Sequence, residues 1–376
     1  MRIPSASRAQ TIVGLDIEAG SVAATEVTTN GGVKLGRTAI AGLAPGVTRE
    51  GEVTDPDALG AALKEMFAEN KLARSVRVGL ASQKVMVRTM TMPRIEDDSE
   101  LETAIRFQAA DQIAMPLDNA VLDWQILDAD ASTSASGQMK VVLVAARRET
   151  VGGFVEAIRA AGLKPVGIDV AAFGMIRALA PELPAIGPAA PEVSYEERMA
   201  AAGGEGETAI PMPPARLFCA LGDVTNLAVA SGSTCLFTRI STFGMEGIAQ
   251  RLSERRELTL EHSRQWLRHV GLVDPPEEVD GDPEIIAAAR EALEEGVRKL
   301  ADELRLSLDY YGTQEGAVAV EEIVFCGAGS AVAGLPEAVA GELGHAMRVG
   351  RPTALADLDA PDAARLTLPF GLGLDS

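Results

Sequence analysis

Apolar runs divide the chain into short strands, and stripes with a 3.6-residue period mark the helices between them. Thr11–Val27 (TIVGLDIEAGSVAATEV) reads as an apolar strand ending at Asp16, a small-residue turn and a second strand. Gly31-Gly32 turns the chain into a third strand, Val33–Ile40. Asp55–Lys71 has helical spacing and an acidic first turn, and strands follow at Ser75–Ala81 and Val85–Met90. A helix over Glu100–Ile113 carries Leu101, Ile105 and Ala109 on one side and closes at Pro116. Val121–Leu127 and Lys140–Ala146 read as a hairpin around the polar turn Ser132–Gly137. Glu149–Ala161 predicts a helix capped by Gly162, then a strand at Val166–Val170 and a helix to about Leu179.

Residues 181–214 break this rhythm. Their Pro, Gly, Ala and Glu richness predicts an exposed, mobile linker, with room for a short helix at Ser194–Ala202. Beyond it Leu217–Val229 repeats the opening pattern of strand, glycine turn, hydroxyl residue and strand. Thr234–Ile240 supplies a third strand, and Gly244–Arg251 begins a helix. Thr259–Val270 and Pro283–Tyr311 are helical; the stripe Ile285, Ala289, Leu293, Val297, Leu300, Leu304 and Leu308 is core packing. Glu322–Ser330 is a strand running into a glycine turn, and Leu335–Leu343 a helix. The expected organisation is a first domain over 10–180 with a small α+β insertion at about 94–160, a linker over 181–214 and a second domain over 215–350. Residues 351–376 return to the first domain.

Composition narrows the partners. The 376 residues carry 54 acids against 34 bases, a formal charge of −20, which argues against nucleic acid and against direct adhesion to anionic lipid. Cys219, Cys235 and Cys326 lack C-x-x-C spacing and read as buried free thiols of a reducing compartment. His262, His269 and His345 read as scattered helix-surface residues, too few for a zinc site. No apolar run nears the ~18 residues of a membrane span, and Asp16 and Glu18 interrupt the N-terminal one. The expected location is cytoplasmic, so that any tie to a membrane goes through a partner.

Candidate chemistry sits in three turns after apolar strands: Asp16–Ser21, Gly222–Thr225 and Gly327–Ser330. A buried strand ending in an acid beside Gly20-Ser21 can hold magnesium through its waters at Asp16, while turn amides and the Ser21 hydroxyl meet phosphate oxygens. Each turn alone also suits an ordinary hairpin or a strand-to-helix turn. Two strand-turn-strand units separated by a linker, with a later glycine loop, form the layout of an actin-like ATPase. There two facing hairpins clamp phosphates and the third loop supports the nucleoside.

Several blocks then make the chain resemble the PilM family of type IV pilus assembly. They are Gly14-Leu15-Asp16-Ile17 with Ser21, Ala104–Ala109 leading to Ile113 and Pro116, Val121–Leu127 (VLDWQIL), Val144–Arg147, Ala161–Pro165, Phe237-Thr238-Arg239 and Cys326–Gly329. The resemblance implies an α/β, actin-like (ribonuclease-H-like) two-domain fold, with ATP and magnesium in the interdomain cleft. Asp16, Gly20, Ser21, Gly222, Asp223, Thr225, Gly327, Ala328, Gly329, Ser330 and Glu303 form the implied nucleotide-binding set. It further implies that the cytoplasmic N-terminal tail of PilN docks beside the insertion, with Arg106, Phe107, Trp124 and Arg147 as candidate contacts; on their own, Phe107 and Trp124 read first as core.

Three positions depart from the family pattern. Glu18 stands where a glycine is expected, Ala23 where a lysine falls, and Ala220 where the second loop carries an aspartate. Losing a phosphate-contacting ammonium removes a bond worth ~1.5–3 kcal/mol. The alternatives are a degenerate, nucleotide-free adaptor and a small-molecule kinase of the same superfamily with Asp223 as its carboxylate. An FtsA-like membrane helix at the C-terminus is disfavoured by Pro369, Gly371 and Gly373 and by the absence of a basic face.

Overall fold

The structure is a computed structural model that describes residues 10–374 apart from 114, 128–136, 185, 187–213 and 315. Nearly all of the linker expected at 181–214, its short helix at Ser194–Ala202, and most of the hairpin turn at Ser132–Gly137 lie outside the described residues.

The first sheet joins β1 (Gln10–Ile17), β2 (Ser21–Thr29) and β3 (Val33–Gly42), all antiparallel, to β6 (Ser75–Leu80) and β10 (Lys164–Val170), which run parallel to β1. The order is β10-β6-β1-β2-β3. Strand β1 sits in the middle and β2 is buried along most of its length, which accounts for their unbroken apolar runs. Between β3 and α1 (Pro56–Glu69) lies a small ladder, β4 (Thr48–Arg49) with β5 (Glu52–Val53), that apolar spacing does not reveal.

A second sheet has the same plan. Strands β11 (Ala215–Leu221), β12 (Thr225–Ser231) and β13 (Thr234–Ser241) are antiparallel, and β14 (Val320–Cys326) and β15 (Met347–Val349) continue it in parallel, in the order β13-β12-β11-β14-β15. Helices α5 (Met245–Arg256), α6 (Leu260–Val270), α7 (Pro283–Gly312) and α8 (Leu335–Leu343) pack into one core with this sheet. Helix α7 contributes Ala289, Leu293, Val297, Leu300 and Leu304 to that core.

The insertion is a three-stranded sheet, β7-β9-β8, built from β7 (Val85–Pro93), β8 (Ala120–Ile126) and β9 (Gln138–Arg147). Helix α2 (Asp98–Gln112), N-capped by Asp97, lays Leu101, Ile105 and Ala109 on it over Met90, Met92, Met139, Val141 and Leu143. Its extent differs from the expected 94–160. The sheet starts with β7, and α3 (Arg148–Ala160) leaves it to pack Phe154, Ala157 and Ile158 with Leu59 and Leu63 of α1. Helix α3 ends in a Schellman motif: Gly162 is at φ +73° and the Leu163 amide donates to the Ile158 carbonyl at 3.1 Å.

The C-terminal segment forms a helix, α9 (Ala360–Gly373), with Pro369 inside it, and every residue from Ala363 to Gly373 is buried. Together with α4 (Ala171–Leu179) it fills the space between the two sheets, against Ala23 and Val27 on one side and Phe218, Ala220 and Val324 on the other. Pro369 and the glycines bend to tertiary packing here: the Pro369 carbonyl lies where a Cβ on Gly14 would stand, and the Gly174 carbonyl where one on Gly371 would. No described helix is long and apolar enough to cross a membrane. His345 sits in the bend after α8 rather than on a helix, and Cys235 is only half-buried.

Candidate functional site

The turn Glu18–Gly20 of the first hairpin faces the turn Gly222–Val224 of the second, and the two touch. The Ala19 amide donates to Asp223 Oδ2 at 2.9 Å, across 204 residues of sequence. Asp223 Oδ1 also accepts from the Val224 amide at 2.8 Å. Gly222 and Glu18 are in close contact: a Cβ on Gly222 would stand 2.1 Å from Glu18 Oε1 and would require the carboxylate to shift. Beside the turns opens a cleft of about 290 Å³, lined by Glu18, Gly20, Ser21, Asp223, Ala328 and Arg264 among others. A smaller cavity of about 30 Å³ lies beneath, reached by Asp16, Asn226, Gly327 and Cys326.

Arg365 of α9 occupies the position between these groups. Its guanidinium is ion-paired with Asp16, donates from Nε to Ser21 Oγ at 3.1 Å, and lies 3.4 Å from a Glu18 carboxylate oxygen. Its second terminal nitrogen reaches the Asp16 and Ser21 carbonyls, each at 3.2 Å. With 8% of the side chain exposed, this charge is stabilised by partners rather than by water. Burial works against the Arg365 cation, but Glu18, Asp16 and Asp223 more than offset it and leave its pKa raised. Burial pushes the Glu18 carboxyl up to about 8; Arg365 pulls against that and Asp16 and Asp223 add to it. Burial likewise lifts Asp223 to about 6, opposed by the Ala19 amide bond.

Of the residues expected to bind nucleotide, Asp16, Gly20, Ser21, Gly222, Asp223 and Ala328 come together around the turns, with Gly327 at the smaller cavity. The others do not line either space. Thr225 donates its hydroxyl to the Phe243 carbonyl, Ser330 donates its hydroxyl to the Gly327 carbonyl, and Gly329 packs on Leu221. Glu303 accepts a charged bond from Arg239 on β13 at 3.2 Å, away from the cleft. Among the partner candidates, Trp124 packs half-buried on the insertion core, whereas Phe107, read first as core, is 77% exposed on α2. Arg106 pairs with Glu102 one turn earlier at 3.0 Å, and Arg147 is exposed where β9 passes into α3. Sequence reasoning missed Arg365 and Asn226. The available signal for Arg365 was a single charge inside an otherwise uncharged, mostly apolar run, Ala363–Leu374.

The ATP and magnesium expected between the hairpins do not fit these turns. Asp16, the expected holder of magnesium waters, is engaged by Arg365. The amides of Glu18, Ala19, Gly222 and Val224, which would cradle phosphates, already donate to Ser21, Asp223, Val224 and Asp223. Ala23, where the family pattern has lysine, is fully buried in the core between the sheets. Around the larger cleft Glu18, Asp223, Glu246, Glu261 and Asp362 outnumber Arg264, Arg268 and Arg365, and Arg264 is held by both oxygens of Glu246. Once Glu18 is ionised, a phosphate ~4 Å from it would meet repulsion of about 4 kcal/mol at an effective dielectric of 20.

Two sheets of matching order, each opening on a hairpin whose turn enters a shared cleft, define the actin-like fold. A family model described as "Type IV pilus assembly protein PilM" matches residues 14–190. Among solved structures, a chain of a "PilM-PilN type IV pilus biogenesis complex" is 26% identical, with a TM-score of 0.73 over 96% of this chain and 97% of that one. Ethanolamine utilization protein EutJ from Carboxydothermus hydrogenoformans shares the fold at 11% identity, with a TM-score of 0.54 over 99% of this chain and 92% of that one. The match over residues 14–190 and the likeness in fold over nearly the whole chain together support a PilM-type protein.

Proposed function

We propose that this chain is an actin-like scaffold of the type IV pilus assembly platform and that it recruits a membrane partner by docking that partner's N-terminal tail, a PilN-type peptide, on the inserted sheet. The observation that carries the reading is the full-length likeness to a chain of the PilM-PilN complex at 26% identity. Two features of the insertion support it. Strand β8 is at the edge of its sheet, where an extended peptide can add as a further strand. Helix α2 presents the large exposed side chain Phe107 next to Arg106, an apolar anchor beside a charge. Membrane association then runs through the partner, and no nucleotide step belongs to this reading.

The test is a fluorescently labelled N-terminal peptide of the PilN-type partner titrated with the full chain and followed by polarisation. Phe107→Asp is expected to weaken binding at least tenfold while leaving the melting temperature unchanged, because the side chain it replaces stands in solvent. Absence of binding to the unaltered chain would sink the proposal.

A further inference from the structure

We infer that Arg365 is a resident cation that takes the place of a phosphate-bound metal ion: the C-terminal helix delivers a permanent guanidinium to the facing hairpin turns and keeps the cleft assembled without nucleotide. Three carboxylates converge on the turns, Asp16, Glu18 and Asp223. Left alone they would repel one another across the joint that the Ala19–Asp223 bond closes. Arg365 answers two of them directly and spends its remaining donors on Ser21 and on main-chain oxygens of the same turn. A metal bound to phosphates would have to reach the same oxygens. The guanidinium already fills that position with a planar fork suited to carboxylates.

The helix has no freedom to withdraw it. Leu366, Leu368, Phe370 and Leu372 on both sides of the arginine are buried in the core between the sheets. The cation is therefore as permanent as the fold. Asn226 adds a second mark of a site that has lost its ligand: it is 3% exposed, it lines the small cavity beside Asp16 and Arg365, and neither of its amide atoms has a partner among the described residues. The inference does not depend on the peptide-docking reading, and each has its own experiment.

Hydrogen exchange on the full chain tests it, with Mg-ATP and magnesium alone as the probes. For the unaltered protein, saturating Mg-ATP is expected to leave both the melting temperature and the exchange of residues 17–22 and 220–225 unchanged. Arg365→Met is expected to speed exchange in those two segments at least tenfold, with strands 215–219 and 323–326 still protected. A rise of several degrees in the melting temperature of the unaltered protein with Mg-ATP would overturn the inference, as would turn exchange in Arg365→Met that matches the unaltered chain. Should Arg365→Met fail to fold, Asp16→Asn/Arg365→Met is the informative variant. It removes the stranded acid, so it is expected to fold and to show the same loosened turns; protected turns in it would equally refute the role assigned to Arg365.

Discussion

Glu18 sets the charge state of the cleft, because its neighbours are already committed. Asp16 and Arg365 satisfy each other, while Asp223 spends both oxygens on main-chain amides. Glu18 keeps a carboxyl whose pKa burial lifts from 4.5 to about 8. A carboxyl with a raised pKa binds a proton more tightly folded than unfolded, so it favours the fold at low pH and weakens it as pH rises toward the folded value. For Glu18 the loss runs from about pH 4.5 to about 8, and for Asp223 from about 3.8 to about 6. Between pH 6 and 8 Glu18 is thus the carboxyl of the pair still titrating, with a slope of at most about 1.4 kcal/mol per pH unit. Urea midpoints measured across that interval should fall more steeply for the unaltered protein than for Glu18→Gln. Parallel pH profiles would mean that Glu18 is already ionised in the fold.

At the scale of elements, α9 docks by way of glycines. The Pro369 carbonyl sits so close to Gly14 that a Cβ there would stand 1.8 Å from it, with backbone rather than a mobile side chain as the obstacle. Gly14→Ala should therefore force the helix off β1 and destabilise the protein by about 3 kcal/mol or more, at the upper end of overpacking effects. Thermal unfolding checks this against Gly341→Ala, a glycine of α8 around which a Cβ meets none of the described residues within 4 Å. Equal losses would remove the argument. Helix α9 also marks where the sequence stops being legible. The hairpins, α7 and the block Val121–Leu127 are readable because their periodicity is set by the sheet or stripe they occupy. In Ala360–Gly373 that local signal is overridden: Pro369, Gly371 and Gly373 read as breakers, yet burial on all sides and close backbone contact are what the segment is shaped for. Arg365 was hidden for the same reason, since its meaning lies in Asp16, 349 residues away. The turn acids themselves were legible, and so were the departures at Glu18 and Ala23; what could not be read was the cation that compensates them.

Over the whole molecule the four cores are joined unequally. The core between the sheets takes residues from both sheets and from α4 and α9, so those parts share one cooperative fate. Among the described residues the inserted sheet has its own cluster of ten buried apolar side chains, against twenty-six in the core of the second sheet. Its other face meets the body through a few partly buried residues such as Val87 and Val144. A core that small, attached along one face, opens at lower free energy than the body. The two tryptophans report the two regions separately: Trp124 packs on the insertion core and Trp266 on the core of the second sheet. In Trp266→Phe, which leaves Trp124 as the reporter, fluorescence should change at lower urea than in Trp124→Phe, which leaves Trp266. The shift should persist after correction for each variant's global stability by far-UV circular dichroism. Coincident transitions would instead make the insertion part of a single rigid unit. Separate ones would give the proposed docking sheet a looseness that a bound peptide tail would remove, so adding the tail should move the Trp124 transition toward the Trp266 one.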